Sequence, residues 1–306
     1  MSVDLALGVR KVLQRVKTQL QKEQQVERAA KLVSMQQLQA WCDRHELASS
    51  GWFAAKVVSF DHEVIQAIEQ TLSELGLAGI EVDFSQQDRF AQSDSGAAEY
   101  KSAGLAPMEK RVLMAQANCG AYFPEWVTEA PSQWVMDVDW QTLQLNQFAD
   151  LVVVENRDAF YQYFALHPQR YTLPEQALNA LVIYRGDGDE SKGCKALCEA
   201  CVLAGKNLIY FGDYDSAGLN FAVNGGYSHV MLALHEYLLE QANDIAQDAK
   251  QIHLAQSVSA FAQQLAADDP LQALLMHNVQ KQKGLRQQSF KGALQIVPIK
   301  RSKVLV

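Results

Sequence analysis

The pattern of apolar and polar residues divides the chain into two parts of different character. In the first part, apolar residues recur at three- and four-residue steps, which is the spacing of amphipathic helices. The predicted helices span residues 1–31, 35–46 and 61–75. Asp61 is placed to cap the third helix, and the segment IEVDF (80–84) is predicted to be a short strand. Helices followed by a strand are compatible with a winged helix, although the pattern is not diagnostic.

From Met108 onwards, short apolar runs alternate with helical segments. The predicted strands are RVLMAQA, WVMDVDW, LVVVEN (151–156), ALVIYRG (180–186) and NLIYFGDYD (207–215). A helix, DAFYQYFALH, follows the third strand, and a long helical region is predicted from about Tyr227 to Asp268. Strands that alternate with helices indicate an α/β domain with a Rossmann-like parallel sheet and right-handed crossovers.

A segment rich in Ser, Gln, Gly and Ala, residues 85–107, separates these parts and has the composition of a linker or mobile loop. The sequence therefore predicts two domains. Residues 1–107 would form a mainly helical domain that binds DNA or a partner, and residues 108–306 an α/β domain with a basic C-terminal tail. Lys101 lies in the loop and could contact DNA phosphates, but a plain linker is the simpler interpretation.

The composition is that of an ordinary globular protein, with 48% hydrophobic and 20% charged residues. No stretch approaches the roughly 20 uninterrupted apolar residues that a membrane span requires. The first thirty residues lack a secretory pattern, and five cysteines without such a signal fit a reducing compartment. The expected location is the cytoplasm, with no membrane association.

The net charge of −8 argues mildly against a nucleic-acid partner, but the charge is unevenly distributed. From Pro270 to Val306 there are seven basic residues and no acidic ones. They are Lys281, Lys283, Arg286, Lys291, Lys300, Arg301 and Lys303. Such a stretch is either a local anion-binding site or a solvated tail. If it binds DNA, Lys291, Lys300, Arg301 and Lys303 are the candidate contacts.

Three cysteines, Cys194, Cys198 and Cys201, form a C-x3-C-x2-C run, a spacing that also occurs in enzymes with an iron–sulfur cluster. Here the run lies in KGCKALCEACVLAG, which has the pattern of a helix. Steps of four and three residues place the thiols on one helical face, and cysteine is among the residue types most often buried. The sequence favours a core position over a cluster.

Acidic residues follow the apolar strands of the second domain in a regular order. Glu155 ends the first strand, and Asp213 and Asp215 end the third. In an open α/β sheet, functional groups collect at the carboxyl ends of the strands. Residues two apart in an extended segment point the same way, so both aspartates can face one ion. Three carboxylates suit Mg²⁺ or Mn²⁺, and the sequence therefore predicts a metal site formed by these acids.

The middle strand ends in a further acidic segment, RGDGDESKG, that contains Asp187 and Asp189. These acids could belong to an outer shell of the metal site, but a simple turn is favoured. The glycines of the segment loosely suggest a dinucleotide fingerprint, which needs a third glycine and fewer acids.

This arrangement resembles the Toprim fold of topoisomerases, primases and OLD-type nucleases over roughly residues 108–306. VVVENRDAF and YFGDYDSAG look like the paired motifs of the nuclease subunit of Wadjet systems, which is similar to the A subunit of type VI topoisomerases. The resemblance identifies Glu155, Asp213 and Asp215 with the metal-binding acids. Asn156 and Phe160 match positions beside the first acid, and Gly218 matches a glycine at the start of the next helix.

The resemblance also implies partners: DNA, SMC-like and kleisin-like subunits, a small winged-helix subunit, and a second copy of the chain in a homodimer. One departure concerns the C-terminal part, where relatives often carry an acidic Glu-Gln-Glu segment. This chain has GLRQQSF (284–290), in which Gln287 and Gln288 lack carboxylates. The departure weakens the case for a second tightly held metal.

Two classes of function remain open at this point. The first is a Mg²⁺-dependent DNA endonuclease of a plasmid-defence complex, which hydrolyses the DNA backbone with activated water. The second is a non-catalytic DNA-binding or scaffolding subunit with a degenerate site. A strand-breaking reaction like that of type VI topoisomerases would require a cleavage tyrosine, and Tyr100 and Tyr122 lie upstream without convincing context.

Overall fold

The computed structural model divides the chain into two compact units, Met1–Pro107 and Met108–Val306. The structure describes residues 4–85, 87, 89–94, 108–117 and 133–301. Lys101, Lys303, Tyr100 and Tyr122 lie outside the described residues.

The first unit combines helices with a two-stranded antiparallel ribbon. Its elements are α1 (Leu7–Leu20), β1 (Val26–Ala29), α2 (Val33–Arg44), β2 (Val57–Phe60), α3 (His62–Glu74) and α4 (Arg89–Asp94). β1 pairs with β2, with Val26 opposite Phe60. The predicted second and third helices are confirmed as α2 and α3. Asp61 caps α3 as predicted, because its side chain accepts a 2.8 Å hydrogen bond from the Val64 N–H.

Two predictions for this unit are wrong. The first helix does not continue to residue 31, because the chain turns after Leu20 and forms β1. The predicted strand at residues 80–84 is irregular. Its carbonyl groups bind side chains of α1 instead of a neighbouring strand: Gln14 donates to the Ile80 carbonyl at 2.9 Å.

A buried ion pair lies beside the apolar core of the first unit. The Arg10 guanidinium donates to the Asp4 carboxylate at 2.6 Å, and both side chains are almost completely buried. Arg10 also donates to the Gly79 carbonyl at 2.9 Å and lies over the ring of Phe84. A buried ion pair of this kind ties the start of the chain and the 79–84 segment to α1.

The second unit is mixed α/β. Its strands are β3 (Arg111–Ala117), β4 (Gln133–Asp139), β5 (Asp150–Val154), β6 (Tyr171–Thr172), β7 (Leu181–Tyr184), β8 (Asn207–Phe211), β9 (His229–Ala233) and β10 (Gly292–Pro298). Its helices are α5 (Arg157–Tyr161), α6 (Glu175–Leu178), α7 (Ser191–Leu203), α8 (Ser216–Asn224), α9 (His235–Gln241), α10 (Ala249–Ala262) and α11 (Pro270–Lys281). In the described part of the chain, the strands form one eight-stranded sheet in the order β4-β3-β7-β5-β8-β9-β10-β6.

The predicted parallel sheet is confirmed at the centre and corrected at the edges. β7, β5, β8 and β9 are mutually parallel. β3 and β4 add an antiparallel pair on one side, and β10 lies antiparallel to β9 on the other. The central strands are apolar at almost every position because both faces of a parallel sheet are covered.

The predicted long helix between Tyr227 and Asp268 is also wrong, because residues His229–Ala233 form β9. A short apolar run without alternation does not distinguish a buried strand from a helix. The prediction of a basic C-terminal tail is also corrected, because this stretch forms a helix and a strand of the sheet. Residues Pro270–Lys281 form α11, and Gly292–Pro298 form β10, whose register pairs Leu294 with Ala233.

The order of the central strands creates a crevice at their carboxyl ends. After β5 the chain forms β7 on one side of it, and then returns to form β8 on the other side. Open α/β sheets bind ligands where the direction of the strand order changes in this way. The crevice between the ends of β5 and β8 is therefore the position favoured for a functional site. In the part of the chain that the structure describes, no helix is long and apolar enough to cross a membrane.

The buried pair of Arg10 and Asp4 predicts a large effect of a single substitution. Arg10→Ala removes the guanidinium that pairs with the buried Asp4 carboxylate, which should lower the free energy of unfolding by about 3–5 kcal/mol. The measurement is a urea titration followed by circular dichroism. The matched control is Lys17→Ala, because Lys17 pairs with the more exposed Glu69 and should contribute less than about 1 kcal/mol. Equal losses in the two variants would contradict the assignment.

Candidate functional site

Two of the predicted acids meet at the crevice between β5 and β8. Glu155 directly follows β5, and its N–H donates to the Phe211 carbonyl at 2.8 Å, which extends the pairing of the two strands. Asp213 lies two residues beyond the end of β8, and its N–H donates to Glu155 Oε2 at 3.2 Å. The parallel register of β5 and β8 thus brings Glu155 and Asp213 into contact.

Asp215 is held differently, as the N-cap of α8. One carboxylate oxygen accepts from the Gly218 N–H at 2.8 Å, and the other accepts from the Gln251 side-chain amide at 2.8 Å. The residue is only 5% exposed, and burial raises the pKa of its carboxyl group above the usual range. Both oxygens are therefore used to orient the first turn of α8.

The Asp213 carboxyl group has the most unusual electrostatic environment of the three acids. Burial raises its pKa to about 6, and the nearby charges of Glu155 and Asp215 act in the same direction. The hydrogen bond from the Gln287 N–H to Asp213 Oδ1, at 2.7 Å, opposes this shift, as does the positive charge of Arg286. Perturbed acids in a cleft are characteristic of functional sites.

The segment from Gly284 to Gln288 forms one wall of the site. Leu285 and Tyr214 exchange two backbone hydrogen bonds, at 2.8 and 2.9 Å, and Gly284 is bonded in the same way to Asn243. Gln287 is almost fully buried, and its side-chain amide donates to the Phe211 carbonyl at 3.1 Å. No structural role was predicted for this segment, because it carries no acid and its neighbours come from distant parts of the chain.

Helices α10 and α11 form hydrogen bonds with the loop that carries Asp213 and Asp215, the acidic loop. Besides binding Asp215, Gln251 accepts a 2.7 Å hydrogen bond from the Ala217 N–H. The buried Tyr214 hydroxyl donates to the Leu274 carbonyl at 2.8 Å. Asn278, which is fully buried, accepts from the Ser216 hydroxyl. The loop that carries both aspartates is therefore fixed by side chains on two helices.

Two glycines make this loop geometrically possible. A Cβ atom at Gly212 would lie 2.3 Å from Glu155 Oε2, and one at Gly218 would lie 2.2 Å from the Asp213 carbonyl oxygen. Neither position has room for a side chain. Both glycines of the GD-x-D-x-x-G motif are required by close packing around the acids.

A polar cleft of about 520 Å³ opens at the site. It is lined by Asn156, Asp213, Asp215, Asp244, Ile245, Asp248, Gln251, Arg286 and Gln288. Sequence reasoning missed Asp244 and Asp248, because the region was predicted to be one continuous helix. Asp244 forms an ion pair with Lys283. Asn156, predicted beside the first acid, lines the cleft and caps α5 through a hydrogen bond from the Ala159 N–H.

The fit of the site to a divalent cation depends on the donors that remain available. Among the described residues, no three His, Cys, Asp or Glu side chains are arranged to hold a metal ion together. Glu155 and Asp213 each have one carboxylate oxygen that accepts no hydrogen bond within the described part of the chain. Mg²⁺ is often bound by one or two carboxylates and several waters. The pair fits such an ion, whereas each carboxylate oxygen of Asp215 already accepts a hydrogen bond from within the chain.

The acids after β7 are engaged in a turn, as the sequence favoured. Asp187 accepts a 2.6 Å hydrogen bond from the Tyr184 hydroxyl, and Asp189 pairs with Lys192 at 3.2 Å. Phe160, the other position matched by the resemblance, is fully buried in the core.

The basic residues proposed for DNA binding are found in different environments. Lys300 pairs with the buried Asp269 at 2.9 Å. The Arg301 guanidinium donates to the carbonyl of Val223, in the last turn of α8, and to that of Tyr227, which follows the helix; burial lowers the pKa of Arg301. Lys291 is exposed. All three residues are exposed, but Lys300 and Arg301 have contacts within the protein, and no polar contact of Lys291 is found in the described part of the chain.

The cysteine helix packs on the sheet. Cys194 and Cys201 are buried and Cys198 is partly buried, on the face of α7 that contacts the core. The adjacent Cys194 thiol and burial raise the pKa of Cys198, and burial raises that of Cys201 to about 11. The thiol groups of Cys198 and Cys201 therefore stay protonated at neutral pH. An apolar cavity of about 560 Å³ beside this helix lacks the converging acids of the polar cleft.

The raised pKa of Asp213 predicts a pH-dependent stability. The folded state binds this proton more tightly than the unfolded state, whose pKa is near 4, so ionisation costs stability as the pH rises from about 4 to above 6. In metal-free buffer, Asp213→Asn should raise the free energy of unfolding by about 1–2 kcal/mol at pH 8 and leave it unchanged at pH 4. Urea titrations at both pH values measure this, with Asp189→Asn as the control. A difference that does not change with pH would contradict the assignment.

The chain matches one protein family over residues 109–292, which is more than half of its length. The family is described as a domain of unknown function, DUF7281. No curated protein matches the chain. The matched region begins two residues before β3, extends into β10, and contains all three predicted acids and the 284–288 segment. The chain therefore belongs to the DUF7281 family.

Proposed function

We propose that the protein is a Mg²⁺-dependent DNA endonuclease whose active site lies at the carboxyl ends of β5 and β8. The observation that carries this proposal is the contact between Glu155 and Asp213 at the point where the strand order changes direction. Two carboxylates held in contact, of which Asp213 lines the cleft and has a raised pKa, favour binding of a divalent cation. Mn²⁺ would occupy the same donors.

A Toprim-type fold is part of the proposal. Its support is the parallel centre of the sheet, the position of Glu155 after one central strand, and the position of Asp213 after the adjacent one. The motifs VVVENRDAF and YFGDYDSAG, which resemble those of the Wadjet nuclease subunit, occupy these two strand ends. The antiparallel strands at the edges extend this parallel centre.

Each acid has a distinct role in the proposed mechanism. Glu155 and Asp213 would hold the cation, which supplies charge neutralisation at the scissile phosphate and a water of lowered pKa. Asp215 orients the first turn of α8, so that its N-terminal end faces the cleft. The alternative role for Glu155 is that of a general acid or base, which would carry a proton to or from the reacting oxygens.

Hydrolysis by water is favoured over a covalent tyrosyl intermediate. The described tyrosines nearest the acids, Tyr210 and Tyr214, are buried, and burial raises the pKa of each hydroxyl well above its usual range. The Tyr214 hydroxyl is also committed to the Leu274 carbonyl. Neither is accessible to attack a phosphodiester.

The remaining parts of the proposal come from the resemblance. We propose SMC-like, kleisin-like and small winged-helix subunits as partners, a homodimer with two sites for two DNA strands, and a role against plasmids. The cytoplasm is then the expected location, because the substrate lies there. The first unit would bind DNA or a partner as a winged-helix-like domain. Its support is the ribbon formed by β1 and β2 beside three helices.

A non-catalytic scaffolding subunit is the second candidate, and specific observations favour it. Asp215 uses both carboxylate oxygens within the protein, and Gln287 and Gln288 supply no charge where relatives of the resembled family carry acids. A site of this kind could retain DNA affinity after losing cleavage activity. Cation binding and cleavage distinguish the two candidates.

The first test is cation binding by the acid pair. Calorimetric titration with Mn²⁺ should show binding to the wild type at pH 8 and its loss in Asp213→Ala, because one of the two ligands is removed. Binding should weaken below about pH 6, where Asp213 takes up a proton. Asp189→Ala is the control and should bind as the wild type does. Equal binding by Asp213→Ala would remove Asp213 from the site.

The second test is DNA cleavage. Glu155→Gln keeps the size of the side chain and can still accept from the Asp213 N–H, but it lacks the charge. Its rate of nicking or linearising a circular plasmid in Mg²⁺ should fall by about 10²–10⁴, the usual contribution of a general acid or base. Folding and DNA binding should not change.

The cleavage assay includes the partner subunits, with Asp189→Asn as the control. A Glu155→Gln protein that cuts at the wild-type rate would overturn the mechanism. A wild type that binds Mn²⁺ and DNA but never cuts, even with its partners, would favour the scaffolding function.

A further inference from the structure

Arg286 is the one cationic side chain on the lining of the polar cleft within the described part of the chain. It faces the same space as Asp213, Asp215, Asp244 and Asp248. The positive charge of Arg286 acts on the acids of the site, since it lowers the pKa of Asp213. A single positively charged side chain among four aspartates indicates a specific role in the cleft.

The backbone on both sides of Arg286 is fixed to the acidic loop. Before it, Leu285 exchanges two hydrogen bonds with Tyr214. After it, the Gln287 N–H donates to Asp213 Oδ1 at 2.7 Å, and the Gln287 side chain donates to the Phe211 carbonyl. The position from which the Arg286 side chain extends is therefore set by the same residues that hold the acids.

The guanidinium group itself is not committed. Arg286 is exposed and forms no hydrogen bond or ion pair with any residue that the structure describes. Nearby cations are engaged: Lys283 pairs with Asp244, and Arg170 donates to the carbonyls of Phe290 and Gln288. The donors of Arg286 are thus available to a ligand in the cleft.

We propose that Arg286 is a substrate-binding residue that holds a phosphodiester oxygen of the DNA beside the acid pair. This inference rests on the proposed function and assigns a residue that neither the sequence motifs nor the family match identifies. Acids alone repel a phosphate, whereas a cation bound by Asp213 and the Arg286 guanidinium on the lining of the same cleft would both attract it. Guanidinium groups bind phosphate oxygens through paired hydrogen bonds, which an ammonium group does not reproduce.

The proposal has an electrostatic consequence that a structural role would not produce. The positive charge of Arg286 repels a divalent cation on Asp213 and attracts a phosphodiester. Its removal should therefore affect the two ligands in opposite directions. Mn²⁺ alone should bind as tightly as in the wild type or more tightly, and DNA should bind more weakly.

The experiment compares the full-length wild type with Arg286→Gln, Arg286→Lys and Lys206→Gln. Lys206 precedes β8 at the opposite end of the strand from the cleft and serves as the matched control. Three measurements are made: calorimetry with Mn²⁺ alone, anisotropy of a labelled DNA duplex in Ca²⁺, and plasmid cleavage in Mg²⁺. Arg286→Gln should lower duplex affinity or cleavage by at least about ten-fold, the effect of losing one charge-assisted hydrogen bond. Arg286→Lys should recover only part of it, and Lys206→Gln should match the wild type.

The outcomes separate this inference from the nuclease proposal. Wild-type duplex affinity and cleavage in Arg286→Gln would overturn the role of Arg286. Loss of Mn²⁺ binding in that variant would overturn it too, because the residue would then support the fold of the site. A wild type that binds the duplex without ever cleaving it would end the nuclease proposal alone. Arg286 would then be judged by the opposite changes in Mn²⁺ and duplex affinity.

Discussion

The structure of the site depends on holding like-charged carboxylates together at the edge of a buried sheet. Burial is the main reason that the pKa of Asp213 rises to about 6, and the nearby charges of Glu155 and Asp215 add to the shift. The protein offsets this cost with N–H donors. The Asp213 N–H binds Glu155, the Gln287 N–H binds Asp213, and the Gly218 N–H binds Asp215. These donors keep the acids in place before any cation binds.

This constraint explains why distant parts of the chain meet at the loop from Asp213 to Asp215. Gln251 comes from α10, Asn278 from α11, and Gln287 from the segment before β10. Because β10 pairs with β9, and β9 with β8, the sheet itself returns the C-terminal part of the chain to the acids. A strand that the sequence presented as a basic tail is therefore needed to complete the site.

The sequence predicted the parts of the fold whose signals are local. Asp61 marked the start of α3, and the apolar runs that end at Glu155 and before Asp213 marked two central strands. It failed where the outcome depends on distant partners. Residues His229–Ala233 become a strand because β8 and β10 lie on either side of them. Gln287 contacts Asp213 although the two residues lie 74 positions apart, and no sequence motif predicts this contact.

The two aspartates that the motif presents as equivalent have different contacts in the structure. An alternating D-x-D segment suggests that both side chains face one ion. Once α8 begins at Ser216, its unpaired N–H groups require an acceptor, and Asp215 is the residue in position to supply it. Asp213 lies two residues before Asp215 and lines the cleft. One of its carboxylate oxygens accepts no hydrogen bond from the described residues. The start of a helix thus makes the two aspartates of a symmetric motif different: Asp215 orients the helix, and Asp213 contacts Glu155 and Gln287 instead.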